Sequence, residues 1–186
     1  MNVETDRLVD PLFWQETAGS VRARDLLVER CDPARAVLLN SLWHSRLPHA
    51  QPSPWKFAFW AHCNGVVYGV ALWHNPSARG LPQEWLELRR LAIAPDAPRY
   101  AATRMLGQMA RWIKRETACP RLISYQDTDV HTGTIYRAAN WHVGYVSKAR
   151  ARDRSVGLVA RSRYRTDANG SAPAAAEKNR WELALR

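Results

Sequence analysis

The residues that could do chemistry cluster around the middle of the chain, where Glu87 to Gln126 reads as strand, turn, helix, strand. Asp96-Ala97-Pro98 is turn chemistry, because proline and the residue before it are both kept out of helix interiors. A helix opens near Tyr100, and its unpaired N–H groups lie at the end of the preceding strand, a natural cradle for a phosphate-bearing donor. Three titratable side chains flank this stretch: His44 in Trp43-His44-Ser45-Arg46-Leu47-Pro48, Asp127 at a strand end, and Tyr136 in a short helix. A lone histidine at a helix C-terminus is a dipole partner, a packed side chain or a catalytic group. Asp127 either caps the turn that follows it or handles a proton. Arg89 and Arg90 are adjacent on a strand and so point to opposite faces. Arg89 either meets a ligand or pairs with Glu87. Tyr125 is placed to pack in the core or to stack on a base.

The elements that position these residues follow from pattern. Leu26-Leu27-Val28 reads as a first strand, and Asp32-Pro33 as an N-cap with proline at the first helical position. That helix runs through Val37, Leu38, Ser41 and Leu42 and stops before Pro48. Asn64-Gly65 between apolar runs, within Lys56 to Trp73, is a strong hairpin signal. Met105, Leu106, Met109, Trp112 and Ile113 recur at helical spacing on one face. Leu122 to Tyr125 is a second strand, and Thr132 to Trp141 holds a short helix that Asn140 is placed to end. Val143 to Val146 and Val156 to Val159 are candidate final strands, joined by the basic turn Lys148 to Arg154. Residues 1–165 are expected to form one domain, with 166–186 a polar, disordered tail.

Size and charge narrow the function. The 186 residues suffice for one domain with a real core, and the net charge of +10 favours an anionic partner, nucleic acid first. Cys31, Cys63 and Cys119 are an odd, widely spaced set, which argues for a reducing cytoplasm and against a zinc site. No apolar run approaches a membrane span.

The order of elements resembles the GNAT acyltransferase fold: α/β (α+β), with a central mixed, mostly antiparallel, splayed sheet flanked by helices. The likeness is strongest at Leu91-Ala92-Ile93-Ala94-Pro95 running into Arg99 to Thr103, and at Ile135 to Trp141. Two departures stand out. Tyr100, Ala101 and Ala102 occupy a turn that usually carries glycines, and Asn140-Trp141 replaces the usual Gly-Phe. A closer resemblance is to the Mom family of phage DNA-modification proteins, over roughly residues 38 to 150. Glu87-Leu88-Arg89-Arg90-Leu91-Ala92-Ile93, Arg104-Met105-Leu106-Gly107, Ile123-Ser124-Tyr125-Gln126-Asp127, His131-Thr132-Gly133-Thr134-Ile135-Tyr136 and the His44 to Pro48 segment carry it.

The resemblance implies a phage- or prophage-encoded enzyme of the host cytoplasm. It would convert adenine in double-stranded DNA to N6-carbamoylmethyladenine and protect that DNA from restriction. It assigns Asp127 to the adenine amine, Tyr136 to protonation of the leaving group, and His44 to a supporting or substrate-side base. Arg89, Arg99, Ala102, Thr103 and Arg104 fall to the donor, and Tyr125 and Arg90 to the DNA base, which must leave the stack to react. The donor is acetyl-CoA or glycyl-tRNA, so tRNA joins DNA as a candidate partner, and a homodimer stays open. No metal-ligand spacing is present, although a metal shared by His44 and Asp127 also stays open. The rival readings are an N-acetyltransferase for a small amine or protein using acetyl-CoA, and a non-catalytic DNA-binding module.

Overall fold

The computed structural model describes residues 21–44, 46–50, 54–148 and 177–186. After a short 3₁₀ turn, the chain runs β1 (Leu27–Arg30), α1 (Pro33–Trp43), β2 (Phe57–Cys63), β3 (Val66–His74) and β4 (Leu86–Ile93). It continues through α2 (Ala101–Glu116), β5 (Arg121–Asp127), α3 (Thr134–Ala138), β6 (His142–Ser147) and β7 (Lys178–Ala184). The strands form one seven-stranded sheet in the order β1-β2-β3-β4-β5-β7-β6. Among the described residues only β4 and β5 are parallel neighbours; the other pairs are antiparallel.

Local chemistry explains most of these elements. Asp32 caps α1, its carboxylate accepting from Ala34 N at 3.2 Å, with Pro33 in the first turn where no N–H is missed. Asn64 (φ 48°) and Gly65 (φ 78°) turn β2 into β3 with the positive φ pair that matches strand twist. α2 buries Met105, Leu106, Met109, Ala110 and Ile113 against one face of the sheet, while Ala36 and Leu39 of α1 pack on the other with Ala58, Val70, Leu72 and Ala92. Asn140 (φ 63°) follows α3 in the left-handed region, as its placement in the sequence suggests.

Two features of the sheet set up the site. Parallel pairing of β4 with β5 covers Leu86↔Leu122 to Leu88↔Ser124; beyond it the two strands no longer pair with each other, β4 continuing beside β3 to Ile93 and β5 beside β7 to Asp127. The sheet is therefore forked. In addition, the register of β3 against β4 passes from Leu72↔Arg90 to Trp73↔Leu88, which leaves Arg89 as the extra residue of a bulge. Strict alternation of Arg89 and Arg90 across the sheet is accordingly broken at this point.

The expected disordered tail is overturned over its last residues, while 166–176 lie outside the described residues. Lys178–Ala184 is strand β7, paired with β5 along its whole length and with β6 on its other side. Trp181 (2 % exposed) and Leu185 enter the core. A disordered reading of 166–186 followed from the polar, Ala-rich run before Lys178, but the apolar residues beyond it find non-local partners. The proposed strand Val156 to Val159, and most of the turn Lys148 to Arg154, lie outside the described residues.

Candidate active site

The candidate side chains fall in two groups, one at the last β4–β5 pair and one at the end of β5. Ser124 stands at the last paired position; its Oγ contacts Leu88 O at 3.2 Å and Tyr136 Oη at 2.8 Å. The Tyr136 ring is buried between Trp181, stacked at 5.3 Å with 15° between planes, and Trp141 at 5.7 Å. Burial raises the Tyr136 pKa, only partly offset by the Ser124 hydroxyl, so the phenol keeps its proton at neutral pH. The Ser124 bond and the two indole rings fix the hydroxyl in one place.

Asp127 ends β5. Its Oδ1 accepts from Asp129 N at 3.1 Å, so it does cap the following turn. Its Oδ2 also accepts from Arg46 Nη2 at 3.1 Å, with the two side chains 19 % and 32 % exposed. One oxygen thus supports the turn, and the other is bonded to the segment that carries His44. That imidazole is depressed to about 4 by burial, then by Arg90, His131 and Arg46, and is neutral at physiological pH. His44, Arg46, Arg90, Asp127 and His131 therefore form one electrostatic neighbourhood from three separate parts of the chain.

Other expected residues are placed differently. Arg90 Nη2 donates to His49 O at 3.2 Å, bringing it to the His44 side. Arg89 Nη2 donates to Asn75 O at 2.8 Å and its Nε lies 3.7 Å from Glu87 Oε1, the ion pair that adjacency in sequence allows. Those bonds tie it to the end of β3 rather than to the first turn of α2. Tyr125 is half-buried beside Arg180; burial and Glu87 raise its pKa against the opposing Arg180 bond.

The turn into α2 keeps the backbone form expected of a glycine. Tyr100 is its N-cap at φ 71°, a strained conformation for a bulky side chain. Ala101 N is used by Pro98 O and Arg104 N by Tyr100 O, whereas Ala102 and Thr103 N–H have no acceptor among the described residues. With no acidic residue in that turn, these two donors fit an anionic phosphate. The basic side chains nearby are engaged elsewhere: Arg104 Nη2 donates to Arg24 O at 3.1 Å, and Arg99 lies over the Tyr100 ring at 4.8 Å.

Sequence reasoning missed Arg46, His131, Ser124 and Trp181 as site residues. Arg46 lay inside the noted His44 to Pro48 segment, but nothing in spacing says it meets a residue 81 positions away. Buried Gln126 carries the last link, accepting from Trp181 Nε1 at 2.6 Å and donating to His131 O. Among the described residues no group of three His, Cys, Asp or Glu side chains could hold a metal ion, and no helix is long and apolar enough to cross a membrane.

Solved structures share this fold. A GNAT-family acetyltransferase from Streptococcus pneumoniae superposes with TM-score 0.57 at 10% identity, covering 87% of this chain and 99% of that one. An acetyltransferase from Salmonella typhimurium with its cofactor acetyl-CoA gives 0.58 at 11%, covering 87% and 95%. A Bacillus subtilis acetyltransferase in complex with CoA gives 0.54 at 12%, covering 87% and 99%. The fold is that of the GNAT acetyltransferases. No curated protein sequence matches. The model of the Mom protein family matches residues 25–181, a span that begins before β1, takes in the fork with His44, Asp127 and Tyr136, and ends in β7. By that match the chain belongs to the Mom protein family.

Proposed function

We propose that this protein transfers an acyl or aminoacyl group to the exocyclic amine of adenine in double-stranded DNA. The product is N6-carbamoylmethyladenine, which shields phage DNA from host restriction. The carrying observation is Asp127, bonded to Arg46 and grouped with His44, Arg90 and His131 at the open end of a forked sheet. Family membership, the GNAT fold and the net charge of +10 support the same reading.

The adenine amine is a poor nucleophile because its lone pair is delocalised into the ring. As the N6–C bond forms, the carbonyl electron pair moves to oxygen, and Asp127 takes the amine proton. Collapse breaks the bond to the leaving group, which receives the Tyr136 proton. Solvent then removes the proton from Asp127 and restores the phenol. Arg90 and Tyr125 are the side chains offered to an extruded base.

The structures with acetyl-CoA or CoA support an acyl-CoA donor, which would supply a carbonyl activated as a thioester. Ala102 and Thr103 N–H would hold its phosphates. The amide nitrogen of the product favours glycyl-tRNA instead. A glycyl group on N6 isomerises to the carbamoylmethyl product when its free amine attacks C6 and the original N6 leaves as the amide nitrogen. No atom is gained or lost.

Nucleoside mass spectrometry of plasmid DNA from cells expressing this chain or its Asp127→Ala variant tests the proposal. A carbamoylmethyladenine peak, absent from the variant, is expected. Unmodified DNA from folded protein would turn the assignment to an N-acetyltransferase for a small amine or protein.

A further inference from the structure

The mechanism leaves unused a polar side chain in the core. Asn40 of α1 is fully buried, among Ala36, Leu39 and other apolar residues of the same layer. Its Nδ2 donates to Leu47 O at 3.1 Å and to Pro48 O at 2.9 Å, while its backbone O accepts from His44 N at 2.9 Å. Among the described residues its Oδ1 has no partner. The reverse amide orientation would set Oδ1 against two carbonyl oxygens, so the donors must face Leu47 and Pro48. An orphaned buried acceptor is costly, and here it accompanies bonds to both ends of the segment that follows α1. Within that segment, Leu47 N–H donates to His44 Nδ1 at 3.2 Å.

A neutral imidazole that accepts at Nδ1 must carry its proton on Nε2. We propose that Asn40 is a positioning residue which, by pinning the Leu47 and Pro48 carbonyls, holds the Leu47 N–H on His44 and makes His44 a hydrogen-bond donor through Nε2. This rests on the acyl-transfer reading, in which such a donor would meet the carbonyl oxygen as it gains negative charge. The groups around the ring agree with it. Arg90 from β4, His131 from the turn after β5, and Arg46 all oppose a second proton on His44. Among the described residues, the ring's hydrogen bond is the one at Nδ1, and Nε2 has no partner.

Long-range 1H–15N correlation of the imidazoles in the full chain tests the tautomer without any assay of DNA, with His44→Gln identifying the signal. A neutral Nε2–H ring at pH 7, persisting to about pH 5, is expected. An Nδ1–H ring or an imidazolium at pH 7 overturns the proposal. In folded Asn40→Ala the His44 signal is expected to move toward mixed tautomers; an unchanged signal overturns the positioning role. In the DNA assay, His44→Ala should lose about 100-fold, as for removal of an oxyanion donor, and His44→Gln, which keeps an N–H, should stay within about tenfold. Equal loss in both variants overturns the donor role. If the wild type modifies no DNA, the functional reading fails while the spectrum still decides the tautomer.

Discussion

Arg46 Nη2 donates to Asp127 Oδ2 across 3.1 Å and so joins the segment after α1 to the end of β5, two parts of the chain that share no strand pairing. This bond orients the carboxylate assigned to the adenine amine. Arg46→Ala should lower the modified-nucleoside yield by about ten- to a hundredfold through misplacement alone. The pair is partly exposed, so the same variant should cost only about 1 kcal/mol in a denaturant titration. A stability loss large enough to explain the activity loss would argue that the pair is structural.

Tyr136 is expected to act through its proton. Tyr136→Phe should reduce yield by about 10²- to 10⁴-fold, the range for a lost general acid. Its stability should fall by about 1 kcal/mol, the worth of the Ser124 bond. Ser124→Ala keeps the phenol and separates the two effects: it should retain most activity. Equal losses in both variants would show that the bond, rather than the proton, matters.

His44 should leave a mark on the pH dependence of stability. Its folded pKa of about 4 lies below its ordinary value of 6.5, so the unfolded chain takes up this proton first. The contribution of the neutral ring is fully present above pH 6.5 and is lost as pH falls toward 4. Denaturation midpoints measured across that window should decline in the wild type and decline less in His44→Gln. Parallel curves would remove His44 as the cause.

Gly133 sits at φ 72°, and a Cβ there would run into the Trp181 ring and Gln126 Oε1. Gly133→Ala should cost about 2–4 kcal/mol, overpacking added to backbone strain, readable as a fall in thermal midpoint. An unchanged midpoint would mean that the β7 contact yields readily.

Strand β7 is expected to be indispensable. Removing residues 177–186 takes Trp181 from beneath Tyr136 and leaves β5 and β6 without their shared neighbour. The truncated chain should not give a cooperative unfolding transition by circular dichroism. A cooperative transition near the full-length midpoint would show that the sheet closes without it.

The chain alone determined whatever depends on neighbours in sequence. The Asp32-Pro33 cap, the Asn64-Gly65 hairpin, the apolar stripe from Met105 to Ile113 and the Asn140 stop are local signals, and each appears as an element in its expected place. His44, Asp127 and Tyr136 stand out in the sequence by type and position, and the roles given them come from the family resemblance. Tertiary structure decided what required two distant segments to meet. The last strand was hidden because its partners lie in β5 and β6, far back in the chain, and short strands take their stability from such pairing. The Arg89 bulge depends on a register between β3 and β4 that no single strand encodes. Arg46 reaches Asp127, and Asn40 holds Leu47 and Pro48, only because the folded sheet and α1 bring them within hydrogen-bond range. Hydrogen bonds are short and directional, so spacing along a sequence can nominate the atoms but only the fold can pair them.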